Sequence, residues 1–70
     1  MKLSESLARF MARWNLSLSD ASCVLGMSEW RLWLYLAGVS IPNIYRDAFL
    51  EARMIEANWA MEKVEVLEEP

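Results

Sequence analysis

The chain has no histidine and a single cysteine, Cys23. One cysteine allows no intrachain disulfide, and without histidine it cannot assemble the four-ligand sets of a structural zinc site. No metal or other cofactor is therefore expected. The absence of histidine also removes the commonest general base. There is no glycine-rich phosphate loop, and no nucleophile with a base at workable spacing. Catalysis needs convergent groups of complementary role, so these gaps speak against an enzyme, and no small-molecule substrate suggests itself. The longest apolar run, Leu32 to Ala37, is far too short to span a bilayer. No signal-peptide pattern is visible near the N-terminus. These features predict a soluble, intracellular protein without membrane contact.

A basic surplus is missing too. Residues 1–60 hold six basic side chains (Lys2, Arg9, Arg13, Arg31, Arg46, Arg53) and six acidic ones. The end of the chain adds Glu62, Glu65, Glu68 and Glu69 against Lys63, which brings the net charge to −3. Affinity for a phosphate backbone comes largely from Lys and Arg, so a neutral body with an acidic end disfavours DNA.

What is abundant is apolar surface: 56% of the 70 residues are hydrophobic, with four Trp and five Met. A chain this short buries only about 60% of its unfolded surface, so one domain is the maximum and a partner would add stability.

The order of caps and spacings predicts a single all-α domain of four or five helices. Ser4 is the expected cap of a first helix, with Glu5 at its positive end. Leu3, Leu7, Phe10, Met11 and Trp14 make its apolar stripe, and Asn15 its stop. Ser17, with Asp20 three positions on, resembles a capping box for a second helix. Ala21, Val24 and Leu25 supply the inward side of that helix, and Gly26 supplies the positive φ that ends it. Cys23 is expected to pack there half-buried. Ser28 caps a third helix that closes at Gly38. After Ile41-Pro42, Asn43 caps a last helix expected to run to about Lys63. In this last helix Ile44, Ala48, Ala52, Ile55 and Trp59 form the expected core stripe, with Tyr45 and Phe49 beside it. Asp47, Glu51, Arg46 and Arg53 are expected mostly outside. The domain thus covers 1–63, and 64–70 form an acidic tail expected to fray.

From Leu16 to Asn43 the pattern Leu16-Ser17, Leu25-Gly26, Met27-Ser28, Leu32, Tyr35, Gly38 and Pro42 resembles the Cro/C1 (XRE-type) helix-turn-helix family. That resemblance implies a helix-turn-helix core and a role in transcription regulation. It further implies a bacterial or phage-infected cytoplasm, since very small proteins of this style are frequent in bacteriophages. Carried over to this chain, the positions that would meet DNA are Leu18, Glu29, Trp30, Arg31, Trp33 and Leu34. Base edges are read by hydrogen bonds, and of these residues only Arg31 suits a phosphate or a guanine.

Helical spacing turns Leu32 and Tyr35 inward, with Leu36 at the edge, and Trp30, Trp33, Leu34 and Ala37 outward. An outward patch of two tryptophans and a leucine suits a protein contact, with transcription machinery, another regulator or a second copy. Leu18 is a candidate extension of it. The same residues would serve as core if the register differs, or as stacking platforms for unpaired bases. The leading expectation is a small regulator that binds a protein through this face. The alternative is a dimeric Cro/C1-type repressor that reads DNA with Arg31 and Glu29, with Arg9, Arg13 and Arg46 near phosphates.

Overall fold

A computed structural model describes residues 2–68, with side chains from Lys2 to Glu65. Four helices follow in order: α1 (Leu3–Arg13), α2 (Leu18–Leu25), α3 (Glu29–Ala37) and α4 (Ile44–Glu68). No strand occurs among the described residues. The fold is all-helical. α1 packs against α3 and α4, and α2 packs against the same two helices.

Local chemistry sets most of these boundaries. Ser17 caps α2 through a full capping box: its hydroxyl accepts from the Asp20 amide at 3.1 Å, and the Asp20 carboxylate accepts from the Ser17 amide at 3.3 Å. Gly26, at φ 67°, closes α2, and a side chain there would also press on the Arg53 guanidinium 3.1 Å away. Ser28 caps α3 by accepting from the Arg31 amide at 3.3 Å. Asn43 does the same for α4, accepting from the Arg46 amide at 3.0 Å. Asn15 takes a left-handed φ of 52° just after α1, in keeping with its expected role as a stop.

Ser4, expected as the cap of α1, lies inside the helix instead. The ladder starts from the Lys2 carbonyl, which accepts from the Glu5 and Ser6 amides, and no side chain caps that end. Leu3 packs on the core, so burying it brings the first turn in ahead of the serine.

The core takes one fully buried leucine from each helix: Leu7, Leu25, Leu32 and Leu50. Phe10, Ala21, Met27, Tyr35 and Met54 complete it, with Trp14, Leu16 and Met61 leaning against its edge. Cys23 is exposed, not half-buried. It sits two residues after Ala21 and two before Leu25, which turns it to the far side of α2.

The largest departure from expectation concerns α4. Its inward face is Leu50, Met54, Ala57 and Met61. The stripe expected in the core points outward: Ile44 is 78% exposed, Ile55 70% and Trp59 60%, and Ala48 and Ala52 are exposed with them. Tyr45 and Phe49 are exposed as well.

The reason lies in polar residues that hold α4 in its register, among them Asp47 and Arg53, both expected mostly outside. The Tyr35 hydroxyl donates to Asp47 at 2.8 Å, and the Trp14 indole donates to Asn58 at 2.7 Å. Arg53 Nε donates to the Leu25 carbonyl at 3.1 Å, satisfying the end of α2 with a cation where its dipole is negative. Arg46, Asp47 and Arg53 are accordingly half-buried. Burying the opposite face would break all three links.

The helix also continues through Glu68, past the expected limit at Lys63 and into the segment expected to fray, while Glu69 and Pro70 lie outside the described residues. None of the described helices is long and apolar enough to cross a membrane.

The register of α4 yields a direct test. Leu50→Ala should cost roughly 2–5 kcal/mol in urea unfolding, enough to unfold much of so small a domain. Ile44→Ala, at low micromolar concentration, should cost under about 1 kcal/mol.

Candidate functional site: the outer face of the third helix

α3 is held by its inner side. Leu32 is fully buried, Tyr35 is 5% exposed, and Leu36 leans on the core, which sets the helix rotation. Trp30 and Trp33, three residues apart, therefore emerge on the solvent side, as their spacing predicts. They are 67% and 47% exposed, and their rings stack with centroids 5.3 Å apart at 12° between planes. Such an offset pair forms one broad, flat apolar plate.

Leu34 is half-buried and Ala37 exposed on the same side. Glu29 and Arg31, both exposed, flank the plate on its two sides. Leu18, at the start of α2, is half-buried against the core. The face thus gathers Glu29, Trp30, Arg31, Trp33 and Leu34 on one helix.

Of the three arginines considered for phosphate contact, Arg9 and Arg13 stand one turn apart on α1 and line the same cleft, whereas Arg46 lies on α4. Arg9 is exposed on α1 and lines a shallow cleft of about 420 Å³ between α1 and α4, which it shares with Glu51. Arg13 pairs with Glu62 at 2.8 Å and lies over the Trp14 ring. Arg46 is half-buried near Tyr35 and Asp47. No group of three metal-ligating side chains occurs among the described residues.

One ionisable group is tuned behind the plate. Burial, then the hydrogen bond to Asp47 and its negative charge, pushes the Tyr35 hydroxyl up to about 12, against smaller opposing pulls from Arg46 and Arg31. This contact joins the C-terminal half of α3 to the first turn of α4 and so fixes the angle at which the tryptophans are presented. Asp47, Asn58 and Arg53 are the structural residues that composition and periodicity hide, because each resembles an ordinary surface charge or amide until its partner helix is in place.

Comparison with protein-family models, curated proteins and solved structures finds no match to this chain.

The tuned tyrosine makes a pH prediction. The folded state holds the phenolic proton more tightly than the unfolded chain, whose tyrosine titrates near 10. The resulting stability, up to roughly 2–3 kcal/mol, is complete below pH ~10 and is lost as pH rises toward ~12. Unfolding measured across that window should show the decline in the wild type and a markedly flatter profile in Tyr35→Phe. Parallel profiles would mean that Tyr35 and Asp47 are not coupled.

Proposed function

We propose that this chain is a small transcription regulator with a Cro/C1-like helix-turn-helix formed by α2 and α3. In this reading, the face that would read DNA in that family instead docks a protein of the transcription apparatus or a DNA-bound regulator. The observation that carries this reading is the stacked, solvent-facing pair Trp30–Trp33. Large aromatic plates with an adjacent arginine are the commonest anchors of protein interfaces, and a plate left in water has an unfavourable hydration that a partner would relieve. Glu29 and Arg31 at its margins provide one charge of each sign for a polar rim.

Charge distribution supports a protein partner over a duplex. At the plate Arg31 is balanced by Glu29, and between α1 and α4 Arg13 is neutralised by Glu62. Few cations are left to release counterions from DNA. The capping box at Ser17, the left-handed Gly26, the Ser28 cap and the left-handed Gly38 fall where the resemblance to the Cro/C1 family implies them. They support a helix-turn-helix reading of these two helices.

Binding to purified bacterial RNA polymerase, followed by fluorescence anisotropy of labelled protein, tests the proposal. The wild type should bind, and Trp30→Ala and Trp33→Ala should each weaken binding by about 30-fold or more without loss of helicity. Retention on duplex DNA should be weak even at roughly 50 mM salt. Tight DNA binding that falls steeply with salt and is lost in Arg31→Ala would replace this reading with the dimeric repressor.

A further inference from the structure

α4 carries a second apolar stripe that the fold leaves uncovered. Tyr45, Ala48, Ala52, Ile55 and Trp59 follow one another at spacings of three, four, three and four, the repeat of a helix-pairing seam. All five are exposed, with Ile44 and Phe49 exposed alongside. The body of the domain packs on the Leu50, Met54, Ala57 and Met61 side of α4, and of the seam residues Ile55 borders the cleft shared with α1.

We infer that this seam pairs antiparallel with the same seam of a second copy of the chain, about a twofold axis level with Arg53 and Met54. Size complementarity favours that arrangement. In the antiparallel register, Ala52 stands opposite Ile55 of the second copy and Ala48 opposite its Trp59. Each small side chain then faces a large one, as interdigitated layers require. A parallel pairing would stack Trp59 on Trp59 and leave two successive alanine layers with a void between the helices.

Charge gives the same answer. Parallel pairing would set Glu51 beside Glu56 of the second copy, a like-charge contact. Antiparallel pairing sets Glu51 beside Asn58 of the second copy, with Arg9 in the same cleft.

The area is adequate. Ile44, Tyr45, Phe49, Ile55 and Trp59 together expose on the order of 600 Å² of apolar side chain per copy. Complete coverage in two copies would bury at most roughly 1,200 Å², which reaches the lower limit of specific, stable interfaces. This face is separate from the indole pair on α3, and the inference does not rest on the function proposed for that pair.

Sedimentation equilibrium tests the inference. The wild type should be a dimer at roughly 100 µM chain. Ala52→Glu and Ile55→Ser should each be monomeric with unchanged circular dichroism, because both positions face solvent in the isolated fold. Trp33→Ala should remain dimeric. In a Cys23→Ser background, Ala48→Cys mixed with Trp59→Cys should form a disulfide-linked heterodimer faster than Ala52→Cys links to itself. A monomeric wild type would overturn the inference. So would a monomeric Trp33→Ala beside a dimeric Ala52→Glu, which would move self-association to α3. Preferential self-linking of Ala52→Cys would overturn the antiparallel arrangement.

Discussion

Four leucines, one from each helix, meet with no solvent exposure, and every other placement in this small domain follows from that contact. Leu7, Leu25, Leu32 and Leu50 are the largest fully buried side chains among the described residues, one on each helix. Once they meet, each helix has its rotation chosen. α3 must turn Trp30 and Trp33 outward because Leu32 and Tyr35 point in. α4 must turn Tyr45, Ala52, Ile55 and Trp59 outward because Leu50 and Met54 point in. The exposed aromatics are therefore a consequence of packing, and two of the chain's apolar faces remain in water.

Such an arrangement is costly for a chain of this size. Burial of apolar side chains is the main favourable term in folding, and here several of the largest side chains contribute little of it. Polar links help to define the fold instead. Tyr35 to Asp47, Trp14 to Asn58 and Arg53 to the end of α2 each join α4 to a different helix. Their directionality distinguishes one rotation of α4 from another in a way that greasy contacts alone do not.

Much of the chain's organisation was legible from its residues. The serine caps at Ser17 and Ser28, the left-handed Gly26 and Gly38, the Asn15 stop and the Asn43 cap each depend on chemistry within a few residues. They need no knowledge of the rest of the fold. The outward plate of Trp30 and Trp33 was legible for a related reason: Leu32, Tyr35 and Leu36 share one side of α3, and turning that side inward leaves the indoles on the other.

α4 was misread because it carries two apolar stripes, both at helical spacing. Periodicity finds such a stripe but does not say which one is covered, and the bulkier stripe of Ile44, Ile55 and Trp59 drew the assignment. The deciding signal is nonlocal. Asp47, Arg53 and Asn58 flank the true inner face and find partners only once α1, α2 and α3 are in place. Methyl-to-methyl nuclear Overhauser contacts in solution provide the most direct test of this account. Cross-peaks linking the Leu50 methyls to those of Leu7, Leu25 and Leu32, without intramolecular cross-peaks from Ile55 to that cluster, are the predicted result. Ile55 among the core leucines, with Leu50 in water, would contradict it.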